Sequence, residues 1–215
     1  MRFNKKKWDN FWKKFWFIVW KDESLKGWFI SIILIFILIR FIFFPLLNLA
    51  TGTSLSLAIV ESCSMYHNND ILSFNDFEEW WNRKGHSETY EKRDINKTEF
   101  SGFGFSKGLN KGDILFITKV KPQDIEIGDV IIFVGGPQNK PIIHRVVDID
   151  SSEDEKFFKT MGDNVGRVQF FEEKISEKQI VGKARFKIAP VIGWVKLIFF
   201  EPLRKQDERG FCKEN

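Results

Sequence analysis

A chain of 215 residues is long enough for one hydrophobic core together with a membrane anchor. Its net charge of +4 is modest, and no basic stripe stands on the part expected to fold, which argues against nucleic acid as a partner. The 24 Phe and 8 Trp residues contrast with 2 Tyr, and much of this aromatic content precedes residue 50, where a bilayer would receive it.

Residues 1–26 form a basic and aromatic segment on the cytoplasmic side. Within it, residues 8–20 predict an amphipathic helix that lies in the membrane interface. Apolar residues recur there at steps of three and four, namely Trp8, Phe11, Trp12, Phe15, Trp16 and Val19. The alternative is a second helix that packs on the anchor.

Residues 27–49 predict a transmembrane helix. The run from Trp28 to Leu49 is long enough to span a bilayer and carries a single charge, Arg40. It is too long for a cleaved signal peptide and lacks a small-x-small cleavage site. Eight Lys and Arg residues precede it, whereas no charge follows it before Glu61. The positive-inside rule therefore predicts a single-pass protein of the cell membrane, with a cytoplasmic N-terminus and an extracytoplasmic domain.

From Ser54 onward the pattern changes to short β runs separated by turn signals. This predicts a mainly β, compact all-β domain over residues 50–200. The runs are 57–60, 113–118, 129–134, 142–147, 157–161 and 180–188.

Residues 66–110 interrupt the β pattern. They are polar with scattered aromatic side chains, and we interpret them as an inserted, partly ordered subdomain with one short helix near 76–84. The apolar stretch 189–200 is too short to span a bilayer and predicts a helix docked on the domain or on the outer interface. The charged tail 201–215 is expected to be loose. We expect Cys63 and Cys212 to be free thiols.

Hydrolysis of a peptide by serine requires a nucleophile beside a base, donors for the developing oxyanion, and a group that orients the base. Three histidines limit the choice of base: His67 and His86 lie in the insert, and His144 lies in an apolar strand. A histidine in such a strand is by default an ordinary hydrogen-bonded residue. No cluster of Cys, His, Asp and Glu has the spacing of metal ligands, so we expect no metal and no cofactor.

Four motifs, which occur along the chain in the order that the family has them, resemble those of type I signal peptidases of the archaeal and endoplasmic-reticulum type. Ser62-Cys-Ser-Met65 resembles the nucleophile box, and Met161-Gly-Asp-Asn164 resembles the Gly-Asp-Asn box. Ile142-Ile-His-Arg-Val146 resembles the base-bearing strand, with His where bacterial members have Lys. The strands that begin at Gly112 and Gly128 also fit the spacing of the family. The resemblance covers roughly residues 25–200, except the insert. The length, the insert and the single chain favour an archaeal cell membrane.

The resemblance implies a serine endopeptidase with Ser-His-Asp catalysis. Ser64 would attack the scissile carbonyl, His144 would carry the proton to the leaving amine, and Asp163 would orient the imidazole. The backbone N–H of Ser64, helped by the Ser62 hydroxyl, would bind the oxyanion.

The family's Ala-x-Ala preference implies shallow pockets that admit small side chains, near Ile59, Met65 and Ile143. An extended peptide is expected to add to the strand edge at 57–61. The expected partners are signal-peptide-bearing preproteins and the lipid bilayer, and a protein-translocation channel is a further candidate.

The sequence departs from the family at one acidic position near the aspartate of the Gly-Asp-Asn box. Many archaeal members carry a second acidic residue six positions after the aspartate, where this chain has Gln169. Glu172, Glu173 or Asp148 substitutes for it, or Asp163 acts alone. Two other functions stay open: a catalytically inactive, membrane-tethered binding subunit, and a protease dedicated to a narrow set of surface proteins.

Overall fold

A computed structural model of the protein describes residues 5–21, 24–67, 77–83, 85–137, 139–151 and 155–212. The chain divides into two compact units, Met1–Ala50 and Thr51–Asn215. The first unit holds α1 (Lys5–Trp20), which includes the segment predicted to be an amphipathic helix, and nearly all of a long apolar helix. That α1 lies in a membrane interface stays a prediction.

The apolar helix runs over Leu25–Thr51 and has a mean hydropathy of 2.8. It consists of α2 (Leu25–Leu38), a π-helical turn (Ile39–Phe43) that contains Arg40, and α3 (Phe44–Thr51). The Ser24 hydroxyl caps its start by accepting a hydrogen bond from the Gly27 N–H at 3.1 Å. Its 27 residues correspond to about 40 Å, which exceeds the hydrocarbon thickness of a bilayer. The prediction of an N-terminal helix that could span a membrane is confirmed.

The second unit is built on one antiparallel sheet of seven strands in the order β1-β2-β7-β3-β4-β5-β6. The mainly β fold class is therefore confirmed. The strands are β1 (Leu57–Ile59), β2 (Ile114–Thr118), β3 (Val130–Gly135), β4 (Lys140–Ser151), β5 (Lys156–Met161), β6 (Ile175–Ser176) and β7 (Ile180–Ala189). Each of the six predicted runs forms a strand. Only β6 was not predicted, because two residues are too few to show an alternation.

Strand β4 carries the two residues around which the domain is organised. His144 pairs with Ile131 of β3, and Arg145 pairs with Val130 of β3 and Met161 of β5. Because successive side chains of a strand point to opposite faces, His144 and Arg145 project in opposite directions. Both side chains are buried.

The described part of the insert contains three short helices, α4 (Phe77–Asn82), α5 (His86–Glu91) and α6 (Lys97–Gly102). Helix α4 coincides with the helix predicted near 76–84. Aromatic side chains that are scattered along the sequence form one buried cluster with two residues of β4 and β5, and its members are Trp80, Trp81, Tyr90, Ile95, Phe100, Val147 and Met161. The insert therefore shares a hydrophobic core with the sheet.

The C-terminal region packs against the rest of the second unit, of which it is a part. The predicted helix is only one turn long, α7 (Trp194–Leu197), with Leu197 fully buried and the Trp194 indole N–H donating to the Lys111 carbonyl at 2.8 Å. Turns at Glu201–Leu203 and Gln206–Glu208 follow.

The predictions of free thiols and of a loose tail are wrong for the described residues. Cys63 and Cys212 form a disulfide with their Cα atoms 5.5 Å apart. The two cysteines are 149 residues apart in sequence, and only the folding of the whole domain brings them together. Residues 213–215 of the predicted tail lie outside the described residues.

Candidate active site

Ser64 lies in a turn directly after β1. Its hydroxyl is 2.8 Å from Nε2 of His144 and 3.1 Å from the hydroxyl of Ser62. The turn is held by the segment that follows β5, because the Asn164 backbone N–H donates to the Ser64 carbonyl at 2.8 Å and the Asn164 amide donates to the Cys63 carbonyl at 3.1 Å. The three predicted motifs thus meet at one place.

The other ring nitrogen of His144 faces Glu172. Nδ1 of His144 contacts Oε1 of Glu172, whose side chain is fully buried. The same oxygen accepts a hydrogen bond from the Thr160 hydroxyl at 3.0 Å, and Oε2 accepts one from the Gln169 N–H at 3.1 Å. Because an ionised carboxylate only accepts, Nδ1 of His144 carries the proton, and Nε2 is left to accept the proton of Ser64.

A short turn places Glu172 at this position. Glu172 ends a 3-10 turn (Phe170–Glu172) that starts after Gln169, and the two side chains cap each other's backbone N–H groups reciprocally. Glu173, its neighbour, is exposed and pairs with Lys159, as does Asp148. Of the carboxylates considered in place of the family's second acid, only Glu172 contacts the histidine.

Asp163 does not form the expected contact with His144. Its Oδ1 accepts hydrogen bonds from Nε of Arg145 at 3.0 Å and from the Tyr90 hydroxyl at 2.6 Å. Its Oδ2 accepts from Nη2 of Arg145 at 2.7 Å and contacts Nε2 of His67 at 2.8 Å. The structure thus corrects the predicted pairing. Asp163 binds Arg145, and the Arg145 side chain lies on the face of β4 opposite to His144.

Arg145 is completely enclosed and completely satisfied. Its five N–H groups donate to Asp163 and to three backbone carbonyls, those of Gly104, Gly128 and Phe105. The guanidinium also stands 4.7 Å from the centre of the Phe100 ring. A buried charge of this kind stabilises a fold only while every donor and the opposite charge are in place.

Burial and the charges of this cluster shift the pKa values of its members. Burial by itself would raise the pKa of the Asp163 carboxyl, but the Arg145 guanidinium and the His67 ring hold that pKa well below its usual range. Burial lowers the pKa of His67, against the opposite effect of Asp163, and burial raises the pKa of the Tyr90 hydroxyl. His67 and His86 both contact Asp163, not Ser64.

Gly162 lies against Ser64 and His144, where a larger residue would not fit. A Cβ at this position would stand 2.8 Å from Nε2 of His144 and 2.8 Å from the carbonyl oxygen of Ser64, closer than such atoms approach in proteins. The Gly-Asp-Asn box thus has three separate tasks: Gly162 leaves room for the pair, Asp163 neutralises Arg145, and Asn164 holds the turn of Ser64.

We expect Gly162→Ala to lower kcat about 10–100-fold while the protein stays folded, because displacing reacting groups by a fraction of an ångström has effects of this size. Cleavage assays on the purified full chain measure the change. Gly102→Ala is the matched control, since a Cβ at Gly102 meets no atom within 4 Å. Equal rates for both alanine variants would contradict the assignment of this contact.

A groove leads to the hydroxyl of Ser64. It is lined by residues 55 and 57–61 around β1, by residues 140–143 of β4 and by Ile132. The predicted substrate residues Ile59, Ser62, Met65 and Ile143 all line this groove together with Ser64 and His144. Their predicted roles are not tested by this placement. Strand β1 is at the edge of the sheet, so that no strand among the described residues pairs with its outer side.

A hydroxyl, an imidazole and a carboxylate joined in this order can move a proton away from the serine and stabilise the charge left on the ring. Sequence reasoning named Glu172 only as one of several candidates, and it missed Thr160 and the cluster around Arg145. The spacing of residues along the sequence does not indicate that Thr160 contacts Glu172 or that the residues around Arg145 form a cluster. Fold and site together define a class: a mainly β protein with an apolar N-terminal helix and a site suited to a peptidase.

Comparison with curated proteins finds catalytic subunits of the signal peptidase complex. SEC11C of Homo sapiens is 30% identical over 96 residues, which are 42% of this chain and 50% of that protein. SEC11 of Scheffersomyces stipitis is 28% identical over 99 residues (43% and 58%), and SEC11 of Yarrowia lipolytica is 25% identical over 100 residues (42% and 55%).

The chain therefore spans about half the length of the curated relatives it matches. No family model matches it. The similarity is distant and partial, and at this coarse level it supports a peptidase like the type I signal peptidases.

Proposed function

We propose that the protein is a membrane-bound signal peptidase I, a serine endopeptidase that removes N-terminal signal peptides from exported preproteins after small residues. The observation that carries the proposal is the continuous series of side-chain contacts from Ser64 through His144 to Glu172 at the groove. Such a series of contacts needs no further group to activate the serine.

In the proposed mechanism His144 accepts the proton of Ser64 as the Ser64 oxygen attacks the scissile carbonyl. The oxyanion is bound by the backbone N–H of Ser64 and by the hydroxyl of Ser62, 3.1 Å from the nucleophile. His144 then gives the proton to the leaving amine, and a water molecule, activated in the same way, hydrolyses the acyl-enzyme. Glu172 takes the orienting role that the sequence assigned to Asp163, and it stabilises the imidazolium.

The proposed substrate is an extended segment that pairs with the outer edge of β1. Ile59, Met65 and Ile143 leave shallow apolar space beside the nucleophile, which suits small side chains. A substrate still held in the membrane by its apolar segment would meet the enzyme at a raised effective concentration.

The proposed location is the cell membrane, with α1 on the cytoplasmic side and the domain that contains the sheet on the extracytoplasmic side. The basic residues before the apolar helix support this orientation, and the disulfide supports an oxidising compartment. The proposed partners are preproteins, the bilayer and a protein-translocation channel.

The test is the incubation of membranes that contain the full chain with a preprotein. We expect Ser64→Ala and His144→Lys to reduce cleavage to background, because each removes one partner of the 2.8 Å contact. Lys121→Ala, which changes an exposed residue, is expected to cleave at the wild-type rate. Cleavage by Ser64→Ala at the wild-type rate would overturn the proposal.

A further inference from the structure

We propose that the C-terminal segment Glu201–Cys212 positions the nucleophile turn through the Cys63–Cys212 disulfide, so that peptidase activity requires this disulfide to be closed. The inference rests on the proposed function and adds a redox requirement to the same site. Cys63 lies between Ser62 and Ser64, the two serines of that site.

The segment holds the nucleophile turn at a second point. Nη1 of Arg204 donates to the Glu61 carbonyl at 3.0 Å, and Nη2 donates to the Glu61 carboxylate at 3.0 Å. Lys196 pairs with the same carboxylate at 3.2 Å. Glu61, Lys196 and Arg204 line the groove that leads to Ser64, so this segment forms part of its wall.

The segment is itself firmly held. The ammonium group of Lys111, which is 2% exposed, donates to the carbonyls of Glu208 and Gly210 and pairs with the Glu201 carboxylate at 2.8 Å. Glu201 also accepts a hydrogen bond from the Gly210 N–H at 2.7 Å. The Phe211 ring, next to Cys212, packs against Trp194.

The sheet fixes the nucleophile turn on either side of this attachment. Val60 exchanges two backbone hydrogen bonds with residues 112 and 113, and the carbonyls of Cys63 and Ser64 each accept one from Asn164. Residues 61–63 lie between Val60 and Ser64, and the side chains of two of the three are attached to the C-terminal segment. Opening the disulfide would therefore loosen the turn that carries Ser62.

The change is expected to be local. All seven strands lie between Leu57 and Ala189, so the sheet is complete before Glu201 is reached. The Ser64–His144–Glu172 chain is built entirely from residues of this earlier part.

The redox step is an ordinary thiol–disulfide exchange. A dithiol such as dithiothreitol breaks the S–S bond and supplies two electrons and two protons, so that Cys63 and Cys212 become thiols and the dithiol becomes a cyclic disulfide. Oxidation reverses the step.

The experiment compares oxidised and dithiothreitol-treated full chain in detergent micelles. It measures kcat and KM on a preprotein, the rate at which a fluorophosphonate labels Ser64, and the near-UV circular dichroism of the aromatic side chains. We expect reduction to lower kcat and labelling together about 10–100-fold, with KM within about threefold and the spectrum retained. Reoxidation should restore both rates.

Two variants separate the disulfide from other effects of the reductant. Cys63→Ala/Cys212→Ala should have the low rates of the reduced wild type and should not respond to dithiothreitol. Arg204→Ala keeps the disulfide and should lower kcat by a few-fold only, since it removes one of the two attachments.

Unchanged rates in the reduced wild type would overturn the inference, and so would a loss of rate accompanied by a loss of the near-UV spectrum, which would indicate general unfolding. If the oxidised wild type cleaves no preprotein, the proposed function fails instead. The labelling rate of Ser64 then still decides whether the disulfide positions the nucleophile.

Discussion

Glu172→Gln is expected to lower kcat about 10⁴-fold, the size of effect found when the orienting acid of a serine peptidase is replaced by its amide. The carboxylate accepts the Nδ1 proton of His144 and the hydroxyl proton of Thr160, and both contacts are buried. An amide whose NH₂ group faces Nδ1 would favour the opposite tautomer of His144, in which Nε2 carries the proton. Ser64 would then have no base.

The measurement is steady-state cleavage of a preprotein by the purified full chain. KM should change little, because Glu172 does not line the substrate groove. The matched control is Glu173→Gln, which makes the same chemical change one residue later on an exposed side chain and should keep at least half of the wild-type rate. A loss of less than tenfold for Glu172→Gln would show that another group orients His144.

The second large effect concerns stability. Asp163→Asn should lower the free energy of unfolding by about 3–5 kcal/mol, because it leaves the fully buried Arg145 guanidinium without its counter-charge. The same change replaces one carboxylate oxygen by an NH₂ group, so that either His67 or Tyr90, which tie the insert to this point, loses its acceptor. Asp148→Asn, at an exposed ion pair, should cost less than about 1 kcal/mol.

The effect has a defined pH dependence. The pKa of Asp163 is lower in the folded than in the unfolded chain, so its ionisation stabilises the fold at every pH above the unfolded value of about 4. This contribution is lost as the pH falls from about 4 toward the folded pKa, since the unfolded chain then binds a proton that the folded chain does not.

Denaturant unfolding in micelles, followed by tryptophan fluorescence, measures the difference between wild type and Asp163→Asn. The difference should shrink as the pH falls below about 4. A variant of wild-type stability whose kcat is lowered about 10⁴-fold would contradict this assignment. It would indicate that Asp163 acts on His144.

Local patterns were sufficient to predict the strands and the helix. The alternation over 142–147 identified β4, and the long apolar run from Trp28 to Leu49 identified the long helix, because both signals depend on neighbours in the sequence. Ser64 and His144 were also found from short motifs. Their 2.8 Å contact agrees with that choice, although their catalytic role is a proposal.

The partners of those residues depended on the tertiary structure. His144 and Arg145 are adjacent in sequence, but their side chains lie on opposite faces of β4. His144 therefore contacts Glu172, whereas Arg145 binds Asp163. The aromatic residues of the insert are likewise scattered along the sequence, and only the folded structure brings them together with residues of β4 and β5 in one buried cluster.

The sequence by itself therefore determined a mainly β chain with one apolar helix and the positions of a serine and a histidine, since periodicity and short motifs are local properties. Only the tertiary structure decided which carboxylate contacts the histidine and that Cys63 bonds to Cys212. Both depend on residues far apart in the chain, and their proximity follows from how the whole sheet folds and not from any spacing along the sequence.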